Sequence, residues 1–120
     1  MITIRDQQMR MFEAACLRAF EKRMLEVLLP KIDRDEAWLR HQVHLGVQAA
    51  RHFGLETEAD AATLIEATCQ FIPGGFNEAD PQKLPVQALA ILTTYGMESA
   101  IKAERYRNWA SVWDGEQVGR

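Results

Sequence analysis

The sequence predicts an all-α fold, a single-domain orthogonal bundle of about five helices. Three observations point to this fold. Apolar residues recur every three or four positions along most of the 120-residue chain, which is the period of an amphipathic helix. The four prolines and most of the seven glycines fall between these periodic segments, where they end helices. The alternating polar and apolar pattern of strands is nearly absent.

A loose capping box, Thr3 with Asp6, predicts the start of a first helix that continues to about Leu29. Pro30 ends this helix because proline lacks a backbone N–H and clashes with the preceding turn. The apolar positions of the helix form one stripe, which consists of Met9, Phe12, Cys16, Phe20, Met24 and Val27.

Asp33 and Glu36 form a second capping box, and the helix that they open is predicted to end at Phe53, with Gly54 as its C-terminal cap. Its apolar arc covers nearly half of the circumference, so we expect contacts with two neighbours and a central position in the bundle. Gly46 lacks a side chain and would allow a neighbouring helix to approach closely.

A third capping box, Thr57 with Asp60, predicts a helix that ends at Ile72. The stretch that follows contains the only Gly-Gly pair of the chain. A phosphate-binding loop needs a preceding strand and a following lysine, whereas here a helix precedes and acidic residues follow. We therefore interpret Gly74 and Gly75 as positive-φ positions beyond a helix end.

Pro85 suits the first turn of a fourth helix, and Gly96 separates that helix from a last one over residues 97–113. We predict one helical domain over residues 1–113 and a frayed tail over residues 114–120. The core candidates of these two helices are Val86, Leu89, Ala90, Leu92, Ile101, Trp109 and Val112.

The composition is that of an ordinary globular protein, with 48% hydrophobic and 26% charged residues. No apolar run approaches the roughly 18 residues that span a bilayer, and the charged N-terminus lacks the apolar core of a signal peptide. The simplest interpretation is a soluble cytoplasmic protein with no membrane partner. Cys16 and Cys69 lie on apolar faces and are interpreted as reduced core residues.

Negative charge is concentrated in the second half of the chain. Residues 55–120 contain five basic and ten acidic residues, although the net charge of the whole chain is only −3. Between Arg51 and Lys83 there are six acids and no base: Glu56, Glu58, Asp60, Glu66, Glu78 and Asp80. A local acidic surface repels phosphate and attracts basic surfaces. We therefore expect a protein partner with a basic surface, and no nucleic acid.

Aromatic residues supply the second part of the predicted binding surface. Phe76 lies among polar residues, so it either plugs the core from the loop or contacts a partner. The last helix carries Tyr106, Trp109 and Trp113 beside two arginines, and these residue types are enriched at binding hot spots. The alternative is that one tryptophan closes the core and the others decorate the surface.

All three histidines lie in the second helix, and His41 and His44 are neighbours at positions i and i+3. Two histidines and an acid can bind zinc, but HQVH lacks the glutamate and the spacing of the metalloprotease motif. We favour a polar helix face, with no catalytic residue and no cofactor. The alternative is a small metal-dependent enzyme that uses His41 and His44. A DNA-binding regulator is a third possibility, although no helix is basic enough for recognition.

Three stretches carry a resemblance: FEKRML (Phe20–Leu25), GVQAARHFGLETEAD (Gly46–Asp60), and GGFNEADPQKLP with AIL (Gly74–Leu92). The pattern resembles a family of small helical bacterial proteins encoded beside type VI secretion spike and effector genes. The resemblance brings no catalytic residues. It implies an accessory role, as an adaptor, effector chaperone or immunity protein that binds another protein, and a homodimer is compatible with this role.

Overall fold

Five helices make up the part of the chain that the computed structural model describes, which is residues 14–55 and 57–113. The helices are α1 (Ala14–Leu28), α2 (Glu36–His52), α3 (Glu58–Phe71), α4 (Val86–Leu92) and α5 (Ser99–Val112). Those residues contain no strand, so the predicted all-α bundle of five helices is confirmed. The predicted start near Thr3, the acid Glu56 and the predicted tail over 114–120 lie outside the described residues.

Side-chain caps open α2 and α3. The Asp35 carboxylate accepts a hydrogen bond from the backbone N–H of Trp38 at 2.7 Å, so the cap of α2 lies two residues after the predicted Asp33. The Thr57 hydroxyl accepts a hydrogen bond from the N–H of Asp60 at 3.1 Å, as the third capping box predicts. Each cap satisfies an N–H that the first turn of a helix leaves free.

The C-terminal end of α2 is a Schellman motif. Gly54 adopts a φ of +73°, a conformation that favours glycine, and its N–H donates to the carbonyl of Arg51 at 3.2 Å. The N–H of Leu55 donates to the carbonyl of Ala50 at 2.9 Å, and the Leu55 side chain is buried. The predicted cap at Gly54 is therefore confirmed, and it turns the chain toward α3.

The central helix is α3 rather than the predicted α2. It packs against α5, α2 and α1, whereas α2 packs mainly against α1 and α3, and α4 packs on α5. The two neighbours predicted for α2 are thus present. The buried positions of α3 lie on more than one side of the helix, which explains its place in the middle: Ala61, Leu64, Ile65, Ala67, Thr68 and Cys69.

Gly46 permits the close approach of α2 and α3, as predicted. A Cβ atom at this position would overlap the side chain of Ile65 and would lie 2.9 Å from Cε2 of Phe76. Any larger residue would push α3 and the following loop away from α2, and such overpacking is destabilising.

The buried face of α5 differs from the predicted one. Ala103, Tyr106 and Ala110 are buried, whereas Ile101 and Val112 are exposed. A helix turns by about 100° per residue, so positions five before and six after Tyr106 point away from the side on which it lies. Val86 of α4 is also exposed, and Ala88 and Leu92 are buried in its place.

A buried hydrogen bond sets the rotation of α5 on α3. The hydroxyl groups of Tyr106 and Thr68 lie 2.6 Å apart, and both residues are fully buried. The Thr68 hydroxyl donates to the carbonyl of Leu64 at 2.7 Å, so the proton between the two hydroxyls comes from Tyr106. Burial raises the pKa of Tyr106 well above its ordinary range, which keeps this hydroxyl protonated as a donor.

Replacing Tyr106 by phenylalanine keeps the ring in the core and removes this one hydrogen bond. We expect Tyr106→Phe to lower the free energy of unfolding by about 1 kcal/mol, the usual net contribution of a hydrogen bond. Urea unfolding followed by circular dichroism measures the change.

Tyr95 provides the matched control because its side chain is fully exposed. Tyr95→Phe is expected to change the free energy of unfolding by less than about 0.5 kcal/mol. Equal unfolding midpoints for the two variants would contradict the assigned role of the Tyr106 hydroxyl.

Candidate functional site

The acids predicted to face a basic partner are largely engaged within the chain. Glu58 forms an ion pair with Arg23, and the Glu66 carboxylate lies 2.9 Å from Nζ of Lys31. All four side chains are partly exposed, and ion pairs of this kind contribute at most about 1 kcal/mol each. Two bases of the first half of the chain thus pair with two acids of the second half.

The two ion pairs also define how α1 lies on α3. Arg23 of α1 pairs with Glu58 at the start of α3, and Lys31, three residues after the end of α1, pairs with Glu66 farther along α3. The two helices therefore run in the same direction, with α2 returning between them. Glu58 and Glu66 therefore offer a partner less free charge than the sequence suggests.

The remaining acids lie in separate places. Asp60 accepts a hydrogen bond from the Ser99 hydroxyl at 2.6 Å, which joins the start of α3 to the start of α5. Glu78 is exposed, and its Oε1 lies 3.6 Å from Nε2 of His41 on α2. The Oδ1 atom of Asp80 is buried and accepts no hydrogen bond from the described residues. The described acids of the predicted surface are thus divided between α3, which carries Glu58, Asp60 and Glu66, and the loop after it, which carries Glu78 and Asp80.

His41 and His44 line an open cleft of about 790 Å³ beside α1 and α2. Nδ1 of His44 lies 3.4 Å from a carboxylate oxygen of Glu21, and its Nε2 lies 3.1 Å from the Gln48 amide nitrogen. His41 has a different carboxylate neighbour, Glu78. Across residues 14–55 and 57–113, no group of three or more His, Cys, Asp or Glu side chains is arranged to hold a metal ion.

The aromatic residues of α5 and its end form a row. The ring centroids of Tyr106 and Trp109 lie 5.8 Å apart, and those of Trp109 and Trp113 lie 5.4 Å apart with an interplanar angle of 28°. The row leads from the core to the surface, since Tyr106 is fully buried and the two tryptophans are half-buried. Tyr106 therefore belongs to the core, and its side chain has no exposed surface to offer a partner.

Phe76 plugs the core from the loop, and one buried side chain holds it there. Gln42 of α2 accepts a hydrogen bond from the backbone N–H of Phe76 at 2.6 Å, and its amide donates to the Phe76 carbonyl at 3.4 Å. The phenyl ring is itself buried, so it does not project toward a partner. The sequence left open whether Phe76 fills the core or contacts a partner, and the structure places it in the core.

Gln42 is a functional residue that sequence reasoning missed, although a signal was present. It lies four positions after Trp38 and three before Leu45, which places it on the apolar face of α2. A glutamine on such a face must find partners inside the protein, because a buried polar group without hydrogen bonds is costly. The partners here are the backbone groups of the Gly-Gly loop.

The end of the molecule where this loop meets the end of α5 carries a shallow groove of about 560 Å³, which we call the loop groove. Its apolar walls consist of Ile72, Pro73, Phe76, Leu84, Pro85 and Trp113. Gly74 and Gly75 lie between these walls with φ values of +80° and +67°, as the sequence predicts. Of the predicted binding residues, the loop groove is lined by Trp113, which is half-buried, and by Phe76, whose ring is buried behind the wall.

Two exposed valines adjoin the loop groove. Val86 follows the lining residue Pro85, Val112 precedes the lining residue Trp113, and their side chains are 78% and 80% exposed. Isolated apolar side chains are common on protein surfaces. Val86 and Val112 do not line the loop groove, and each is the sequence neighbour of a residue that does.

Comparisons with known proteins found no match among protein-family models, curated proteins or solved structures. Within the described residues, no helix combines the length and apolar character needed to cross a membrane.

Replacing Gln42 by leucine should loosen the loop on which the loop groove depends. The change leaves the N–H and carbonyl of Phe76 without partners, so we expect Gln42→Leu to lower the free energy of unfolding by about 2–4 kcal/mol. Chemical denaturation measures the stability, and amide hydrogen exchange over residues 74–78 measures the loosening.

Gln48 lies on the same helix but is exposed, which makes Gln48→Leu the matched control. This control should change the free energy of unfolding by less than about 0.5 kcal/mol. If both glutamine variants unfolded at the same denaturant concentration, the clamp between Gln42 and Phe76 would not hold the loop.

The two cysteines are predicted to differ in reactivity. Cys69 is buried, and burial raises the pKa of its thiol to about 12, whereas Cys16 is exposed and not a core residue as the sequence suggested. Because the thiolate is the reactive species, Ellman's reagent at pH 8 should titrate one thiol in the folded chain and two after unfolding.

A Cys16→Ser variant should show no rapidly reacting thiol while folded. Prompt reaction of a thiol in folded Cys16→Ser protein would contradict the buried position of Cys69.

Proposed function

We propose that this chain is a non-catalytic protein-binding accessory protein that acts as an adaptor, effector chaperone or immunity protein in a bacterial type VI secretion or toxin system. The observation that carries the proposal is the loop groove, an apolar surface whose walls include Trp113 and whose lining residues Pro85 and Trp113 are next in sequence to two exposed valines. Apolar surfaces rimmed by polar residues are typical of protein interaction sites.

The composition of the loop groove resembles the centre of a protein interface. Tryptophan is the residue most often found as a binding anchor, and Trp113 is supported from behind by Trp109, on which it stacks. The floor is held in place by the Gln42 clamp, so a partner would meet a surface that is already ordered. Such preorganisation lowers the entropic cost of binding.

The type VI part of the proposal rests on the resemblance described above. Its stretch GGFNEADPQKLP covers residues 74–85, which form most of one side of the loop groove. A segment that resembles proteins of this family therefore coincides with the surface to which we assign binding.

The predicted contribution of acidic charge is smaller than the contribution of apolar contact. Glu58 and Glu66 are paired with Arg23 and Lys31, so a basic partner would have to displace these bases to gain the full attraction. We therefore assign most of the binding free energy to the loop groove.

A charge placed at Val112 should abolish binding without affecting the fold, because this side chain is 80% exposed. In co-purification with the proteins encoded beside its gene, we expect the tagged wild-type chain to retain one of them, and we expect that protein to be a type VI spike or effector component. Val112→Glu should reduce the retained amount at least about tenfold, the effect of losing a contact at a hot spot.

Tyr95→Glu is the matched control, since Tyr95 is fully exposed and lies in the turn between α4 and α5, away from the loop groove. It should retain the partner as the wild type does. Equal retention by Val112→Glu would show that the partner binds elsewhere, and retention of none of the neighbouring proteins would refute the type VI assignment.

A further inference from the structure

We propose that the loop groove binds a short segment of a partner protein that combines aliphatic side chains with carboxylates. This inference rests on the proposed function, binding of a protein at this groove, and adds the chemistry of the occupant. It reverses the charge expected from the sequence, which pointed to a basic partner.

The side-chain polar groups that line the loop groove are hydrogen-bond donors. The Oδ1 atom of Asn77 already accepts from the N–H groups of Ala79 at 2.9 Å and Asp80 at 3.0 Å, which leaves the amide NH₂ to face an occupant. Lys83 is exposed and forms no ion pair with any described residue. An occupant that satisfies these groups must bring acceptors.

Trp113 supplies a third donor. Its indole Nε1 is buried and has no acceptor among the described residues, although the ring lines the loop groove. A buried N–H without an acceptor is unfavourable. Because Nε1 has no exposed surface, an oxygen acceptor of an occupant would bond to it only after the indole ring has turned toward the loop groove. A hydrocarbon ligand offers no such acceptor.

The carboxylates of the same loop do not cancel this donor character. Oε1 of Glu78 lies 3.6 Å from Nε2 of His41 on α2, and Oδ1 of Asp80 is buried. Neither of them lines the loop groove, so Lys83 is its one charged lining residue among those described. A partner carboxylate would therefore approach a cation without meeting an acid first.

The apolar walls determine the rest of the occupant. Ile72, Leu84 and the two lining prolines offer no side-chain hydrogen bonds, and the prolines also lack a backbone N–H. Aliphatic side chains are the groups that gain most from such walls. The volume of about 560 Å³ lies within the range of ordinary ligand sites, which suits a few side chains of a peptide.

Selection of peptides from a phage-displayed library of random 12-residue sequences against the full chain tests this inference. We expect the enriched peptides to share an aspartate or glutamate close to Leu, Ile, Val or Met. The affinity of one such synthetic peptide is then measured by fluorescence titration, and its contact is located by ¹⁵N-resolved spectra of the three tryptophan indole groups. The Trp113 resonance, identified with Trp113→Phe, should move.

Three variants separate the contributions. Lys83→Glu should weaken binding of the acidic peptide about fivefold, and Trp113→Phe should weaken it about three- to tenfold, the factors expected for one ion pair and one hydrogen bond. Lys22→Glu reverses an exposed lysine on α1 and should leave the affinity unchanged.

The outcomes distinguish this inference from the proposed function. Enriched peptides that are basic or uncharged, yet lose binding in Val112→Glu, would overturn the inference and leave the groove as a protein-binding site. Peptides whose binding is changed by neither Lys83→Glu nor Val112→Glu would overturn both. Enrichment of no peptide would overturn the inference, while co-purification would still decide the proposed function.

Discussion

The interaction on which the rest of this structure depends is the pair of hydrogen bonds between the Gln42 side chain and the backbone of Phe76. The loop lacks the regular backbone hydrogen bonds of a helix, and the Gln42 side chain satisfies the backbone N–H and carbonyl of Phe76 instead. The Gln42 amide also occupies the space where a Cβ of Gly75 would lie, so the loop can approach α2 only with glycine there. The ring of Phe76 then packs beside Gly46, where α2 and α3 lie close together. The packing of the core around Phe76, the path of the loop and the shape of the loop groove therefore all depend on the contact between Gln42 and Phe76.

The segregation of charge along the chain has an internal explanation. Arg23 of α1 and Lys31 just after it are distant in sequence from two acids of α3, but the return of α2 between two parallel helices brings them side by side. A strongly uneven charge distribution often indicates the sign of a partner. In this chain part of the distribution reflects complementarity between helices of the same fold, and the groove residues that are left unpaired are donors.

Local signals in the sequence were sufficient for most of the helices. Thr57 and Gly54 were identified because caps are formed by residues a few positions apart, and the positive φ of Gly74 and Gly75 follows from their place beyond a helix end. The inward face of α5 was missed because apolar residues lie all around that helix, and only the distant Thr68 selects the side of Tyr106. The role of Phe76 depends likewise on Gln42, which is 34 residues away. Contacts of this range leave no periodic trace in a sequence.

The loop groove is built from two parts of the chain that meet only when α5 is docked, since Trp113 follows that helix and the opposite wall precedes α4. Any molecule that prefers the assembled groove must therefore draw the equilibrium of α5 toward its docked position, by an amount set by ligand concentration and affinity. Binding of a partner and docking of α5 on the core are therefore thermodynamically linked. Partner binding would therefore complete the fold. Chains without a partner would be cleaved first by a protease, because α5 undocks more often in them.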